Sequence, residues 1–213
     1  MKRLAVALLV ASLVGSGVAL ADRGDPKKKI TPADQARAKA MLLRKSDLGP
    51  GFKSKPATST DDDFYCKALD ESDLTLTGEA ESPDFDSELV FVSSLAQVYE
   101  SLADANTSWR RGTSAAGEKC LRDEFRRSFK ADGLRVLSFR RVPFPRFADR
   151  SIAYRLVASS QGIEIHIDIV VLQESRAQAA LLLLSAPTPV PKAEEVRLTR
   201  VIAGRMAKAM RGA

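Results

Sequence analysis

Gly162-Ile163-Glu164-Ile165-His166-Ile167-Asp168-Ile169-Val170-Val171 is the stretch on which the fold turns. Ile163, Ile165, Ile167, Ile169 and Val171 recur at every second position, and successive side chains of a strand point to opposite faces. The run therefore predicts a strand with one continuous apolar face, and Glu164, His166 and Asp168 share the other. Gln173 to Arg176 reads as a turn. Gln178 to Ser185 follows, with Ala179-Ala180 and then Leu181 to Leu184. Periodicity alone leaves so short an apolar run open between strand and buried helix. We read it as the strand that pairs back onto the isoleucine strand as a hairpin.

Working outward, Leu134–Val142 and Ile152–Ala158 read as strands around Pro143-Phe144-Pro145. Leu74 to Thr77 alternates as a strand does, and Glu88 to Tyr99 is a longer strand rich in Val, Leu and Phe. Helices punctuate these strands. Thr31 can cap, Pro32 suits the first helical position, and the Asp34 carboxylate helps the free amides of the first turn. That helix is expected to run to about Lys45, with Ala36, Ala40, Met41 and Leu43 as its apolar side, until Asp47-Leu48-Gly49-Pro50-Gly51-Phe52 ends it. Ser101-x-x-Asp104 opens a central helix. It places Trp109, Ala116 and Cys120 on one stripe beside Leu121, Phe125 and Phe129, with Gly112 loosening its middle. After Pro187, Pro189 and Pro191, a last helix spans Lys192–Met210, its core side made by Leu198, Ile202, Met206 and Ala209. Isolated helices among runs of strands imply an α+β fold. The expectation is an antiparallel sheet of about six strands with an N-terminal, a central and a C-terminal helix packed on it.

The ends and the charges bound the setting. Met1-Lys2-Arg3, an apolar run from Leu4 to Leu20, and Ala19-Leu20-Ala21 before Asp22 form the n-region, h-region and small-residue cleavage site of a secretory signal peptide. Residues 1–21 are thus expected to be removed near Ala21, placing the protein outside the cytoplasm. No cysteine stands at the cleavage point for lipid attachment. Residues 22–30, with Lys27-Lys28-Lys29, read as a flexible charged leader, and 31–213 as a single domain. Cys66 and Cys120 are the two cysteines of the 213-residue chain. In an oxidising compartment such a pair is most simply a disulfide, which closes a loop whose chain entropy corresponds to about 4 kcal/mol.

Charge is uneven. Residues 61–88 hold eleven acids against Lys67 alone, whereas residues 99–213 hold twenty Lys and Arg against twelve Asp and Glu. Asp61-Asp62-Asp63 and Asp84-x-Asp86-x-Glu88 have the oxygen density calcium favours but lack an EF-hand pattern, so a solvated acidic face is the plainer reading. Arg197, Arg200, Lys208 and Arg211 lie along one polar face of the last helix, with Arg205 nearby. Such a face suits an anionic envelope surface or ordinary solvation. Export separates the chain from nucleic acid.

The chemistry is sparse. His166 is the sole histidine, so any Ser-His or Cys-His machinery has to use it. No nucleophile elbow, phosphate loop, dinucleotide fingerprint or zinc-protease motif occurs, and no cofactor is implied. Glu164, His166 and Asp168 form a candidate polar cluster, read as a metal set, as acid–base groups of a hydrolase, or as the solvated face of their strand. Trp109 and Tyr99 are candidate cleft residues, and Trp109 reads equally as core.

The signal peptide, Ser46 to Phe52, Cys66, the stretch Val92-Ser93-Ser94-Leu95-Ala96-Gln97-Val98-Tyr99, Trp109 and Cys120 together resemble small exported actinobacterial-type proteins. In element order the chain is similar to the extracytoplasmic sensor domains of PknH-type serine/threonine kinases and to LpqN-type lipoproteins. That resemblance implies a PsbP-like sheet flanked by helices, with a cleft for a small-molecule, lipid or envelope-protein ligand. The expected role is a non-enzymatic binding or sensor-like domain of the cell envelope. The alternatives are an extracytoplasmic hydrolase built on His166 and an envelope-surface protein using the basic C-terminal helix.

Overall fold

The computed structural model describes residues 24–57 and 65–212. The expected signal peptide and Asp61-Asp62-Asp63 lie outside them. The fold is α+β, as the alternating segments imply. Its strands are β1 (Lys27–Lys28), β2 (Lys53–Lys55), β3 (Thr75–Glu81), β4 (Asp84–Asp86), β5 (Val90–Tyr99), β6 (Arg135–Val142), β7 (Arg150–Ser160), β8 (Ile163–Glu174) and β9 (Ala177–Ser185). Its helices are α1 (Pro32–Met41), α2 (Leu102–Gly112), α3 (Ala115–Ala131) and α4 (Lys192–Ala209).

One sheet runs in the order β1-β3-β5-β9-β8-β7-β6, with β4 on β5 and β2 on β4. The leucine run is strand β9, seated between β5 and β8. About six strands were expected, and nine are present among the described residues; the three extra ones, β1, β2 and β4, are two or three residues long, too short for alternation to show. β1 pairs parallel with β3, the exception to an otherwise antiparallel sheet. The leader is thus tied down from Lys27, its amides donating to Leu74 and Leu76 carbonyls at 2.9 and 2.8 Å.

Local chemistry places the helices. The Thr31 hydroxyl accepts the Asp34 amide at 3.2 Å, and Pro32 opens α1. The helix stops at Met41, short of the expected Lys45. The Leu43 amide instead donates to Ser94 Oγ at 2.9 Å, and Arg44 N–H donates to Asp47 Oδ2 at 2.7 Å. These side-chain acceptors replace the helical carbonyls the amides would need. The central helix is two helices, broken beyond Gly112, with Ser114 accepting the Gly117 amide at 3.0 Å as a new cap. The break takes Trp109 and Cys120 off a common stripe and leaves Ala116 exposed.

Helices cover both faces of the sheet. On one face α1 and α4 bury Ala38, Met41, Leu198, Ile202 and Met206 against Val170, Leu172, Leu181 and Leu183. On the other, Phe125 and Phe129 of α3 pack on Leu156, Ile165, Ile167, Leu182 and Leu184. Each of these side chains larger than alanine contributes about 1.5–3 kcal/mol on leaving water. β1–β3 and α1 approach closely at Gly78, where an added Cβ would stand 2.3 Å from the Asp34 carbonyl oxygen.

This covering corrects the reading of β8. Its non-isoleucine side is not solvated, because α4 lies over it: Asp168 is 1 % exposed and His166 9 %. The burial stands because Arg155 grips Asp168 with two hydrogen bonds, at 2.6 and 2.9 Å.

Candidate ligand cleft

On the α3 face the sheet and helices do not close completely. A cleft of about 270 Å³ separates β5–β9–β8–β7 from α2 and the middle of α3. Its floor is laid out by strand register. Leu95, Ala180, Val171 and Ile152 are consecutive cross-strand neighbours. The next row is Ser93, Leu182, Ile169, Tyr154 and Arg141. Phe125 of α3 and Phe139 of β6 close one side, their rings 5.4 Å apart, and Phe139 stacks on Tyr154 at 5.4 Å. Trp109, the sole tryptophan, comes down from α2 onto this floor.

The opposite end is polar. Gln97, Gln178, Gln173 and Arg150 form a row across four strands. Helix α2 satisfies two of the glutamines: Gln178 Nε2 donates to the Ala105 carbonyl at 2.8 Å and Gln173 Nε2 to Asn106 Oδ1 at 2.9 Å, while Gln97 Nε2 donates to Glu79 at 3.1 Å. Ser108 and Glu71 complete this wall. Tyr99 itself lies behind it, packed with Leu74, Leu76 and Ala105. Its hydroxyl donates to Glu71 at 3.0 Å and stands 2.8 Å from Ser108 Oγ. Burial pushes the Tyr99 hydroxyl well above its usual pKa, with the Glu71 charge adding to it.

Glu71 reaches the cleft because its segment is stapled there. Cys66 and Cys120 form the disulfide, with Cα atoms 6.4 Å apart, joining the 3-10 turn Lys67–Leu69 to α3. Leu69 wedges against Gly117, where a Cβ would stand 3.0 Å from its Cδ2. Asp73 then takes both guanidinium nitrogens of Arg111, at 2.5 and 2.9 Å. Desolvation raises the Glu71 carboxyl above its ordinary range, opposed by bonds from Ser108 and Tyr99. A carboxyl whose folded pKa is raised favours the fold below the unfolded pKa and loses that contribution as pH rises through the folded value. Glu71→Gln keeps an acceptor for Tyr99 and removes the charge. Its stability relative to the native protein is therefore expected to rise between pH 4 and pH 8 in chemical denaturation. A difference constant over that range would show that Glu71 titrates as a solvated acid.

The remaining candidates lie elsewhere. His166 is on the other side of the sheet, its Nε2 3.1 Å from the Pro187 carbonyl and 3.5 Å from Glu164. Asp168 is turned to Arg155 and lies near the fully buried Glu195 of α4, so it does not join His166 as a working pair. Among the described residues no three His, Cys, Asp or Glu side chains gather to hold a metal. Asp84 is buried and Asp86 pairs with Lys55 at 2.6 Å. The basic face of α4 is partly used internally. Arg197 binds Glu194 and the Asp47 carbonyl, and Arg205 binds Asp47 through both nitrogens. Arg200, Lys208 and Arg211 remain exposed, Arg200 lying 5.4 Å over Phe147.

Trp109 was legible as a candidate from its rarity. Tyr154, the glutamine row and Arg150 were not, because register across four strands brings them together and a single strand does not encode its partner, and Glu71 was not, because it arrives through the Cys66–Cys120 staple.

No protein-family model matches the chain, and no curated protein matches it significantly. Solved structures do. The extracellular domain of PknH from Mycobacterium tuberculosis shares 12 % identity, with 85 % of this chain and 98 % of that one covered at a TM-score of 0.50. An Rv0999 ortholog from Mycobacterium smegmatis shares 16 % identity over 81 % of this chain and 97 % of its own, at a TM-score of 0.47. The chain thus resembles the PknH-type sensor domain in fold.

Proposed function

We propose that this chain is an extracytoplasmic, sensor-like binding domain that holds an apolar or lipid-like small molecule between its sheet and α2–α3. The observation that carries the reading is the cleft itself, floored by aliphatic and aromatic side chains and bordered at one end by hydrogen-bonded polar groups. Such a combination is typical of small-molecule sites, where apolar walls supply affinity and a few polar groups set orientation. A binding role fits better than catalysis because the sole imidazole, His166, faces the opposite layer. The leader pattern at Met1–Ala21 and the Cys66–Cys120 bridge support a place outside the cytoplasm.

Trp109 makes the proposal measurable, since it is the sole tryptophan and sits in the cleft. N-phenyl-1-naphthylamine, an uncharged apolar probe, is expected to accept energy from Trp109 in a saturable titration. Ala180→Phe, which fills the floor beneath it, is expected to weaken probe binding by about tenfold or more, the scale of one buried aromatic-sized volume. Transfer that fails to saturate, or that survives in a folded Ala180→Phe protein, would sink the proposal.

A further inference from the structure

The geometry points to a ligand of one class: a single-chain amphipath with an anionic head, the head bound by Arg150 beside Trp109 and the tail laid along the cleft floor. The inference rests on the binding role proposed above and adds to it the charge and shape of what binds.

Three guanidinium groups approach the cleft, and they differ in what they already hold. Arg111 is spent on Asp73. Arg141 stacks 5.9 Å over Tyr154 while donating to Glu118 and to the Thr113 carbonyl. Arg150 stacks 5.9 Å over the Trp109 ring, and among the described residues its one hydrogen bond is a 3.4 Å contact to Gln173 Oε1. The adjacent acids are turned away from it: Asp149 accepts the Ser175 amide at 2.9 Å and Glu174 accepts the Asp149 amide at 3.2 Å. A guanidinium presents five N–H donors in a planar fork suited to a carboxylate or phosphate. Arg150 therefore keeps most of that fork unspent.

Its position gives the amphipath a direction. Arg150, Ile152 and Tyr154 are alternate residues of β7 on the cleft side, so the charge lies at one end of an apolar track. From the Arg150 row to the row of Ile167 is six residues of strand, about 20 Å at the usual rise per residue. A volume of about 270 Å³ falls just below the usual range of small-molecule sites, which favours one chain over a multi-chain lipid. Gln178 and Gln173 are already paired to α2 and Gln97 to Glu79, and Glu71, which meets Tyr99 at the β5 side of this row, disfavours an anion there, whereas Arg150 stands at the β7 side. The head is thereby directed to Arg150.

The test compares dodecanoate, dodecanol and acetate, all below micellar concentration, by calorimetric titration of the purified full chain and of Arg150→Gln, with Trp109 emission reporting occupancy of the cleft. Dodecanoate is expected to bind the native protein about 10- to 100-fold more tightly than dodecanol, the range of a charge-assisted bidentate contact. Arg150→Gln is expected to erase that preference and leave dodecanol within about threefold of its native affinity. Equal binding of dodecanoate and dodecanol by the native protein would overturn the anionic head while leaving the apolar cleft intact. Acetate binding as tightly as dodecanoate would overturn the amphipath in favour of a bare anion site. If neither long-chain compound binds or perturbs Trp109, the cleft reading and this inference fail together.

Discussion

Asp34→Ala is expected to remove about 3–5 kcal/mol of stability, the cost of stranding a buried charge. The Asp34 carboxylate takes both guanidinium nitrogens of Arg176, at 2.8 and 2.9 Å, one of Arg37 at 2.6 Å and the Thr77 hydroxyl at 2.6 Å. Arg176 also donates to the Tyr99 carbonyl at 2.7 Å. One carboxylate thus joins α1, β3 and the β8–β9 turn, and through Arg176 reaches β5. Truncation leaves Arg176 desolvated without a counter-charge. Asp34→Asn retains one acceptor oxygen and is expected to lose less. The Arg176 guanidinium holds the Asp34 carboxyl well below the usual carboxylate range, more than offsetting the rise due to burial. With a depressed folded pKa, the stabilisation is present above the unfolded value and is lost as pH falls past about 4. The native and Asp34→Ala proteins should therefore begin to converge in stability below about pH 4 and meet only once pH has fallen through the depressed folded value. Urea denaturation at pH 7 placing the variant within about 1 kcal/mol of native would show that the buried pair is not what holds α1 on the sheet.

Cys66→Ser with Cys120→Ser is the second large effect, at about 4 kcal/mol from the chain entropy of a 54-residue separation. Here a structural change accompanies the thermodynamic one. The cystine anchors the turn that carries Leu69 and Glu71 onto α2 and α3, and Glu71 is part of the cleft wall. Releasing the turn exposes the Tyr99 and Ser108 end of the cleft to water. The double variant should thus lose affinity for N-phenyl-1-naphthylamine at denaturant-free conditions where α1 and the sheet remain folded. A denaturation midpoint unchanged by reduction would mean that the bridge does not form in the purified protein. An unchanged probe affinity alongside a lowered midpoint would separate the turn from the cleft.

The proposed export is coherent with both expectations. The chain carries a signal-peptide pattern, a single cystine and, among the described residues, no helix long and apolar enough to cross a membrane.

What the sequence determined by itself was whatever depends on neighbours along the chain. The period-two isoleucines made β8 a strand, Thr31-Pro32 opened α1, Ser101 opened α2, and the proline run Pro187 to Pro191 preceded α4. The α+β class followed from their order. Tertiary structure decided everything that depends on a second element arriving. It split the central helix at Ser114, added the short strands, and laid α4 over the side of β8 that alternation alone marked as solvent-facing. It also assembled the cleft, because the row Gln97, Gln178, Gln173 and Arg150 exists only once four strands have settled in register. Local propensity is written in consecutive residues, whereas register and the covering of a face are set by packing between segments far apart in the chain.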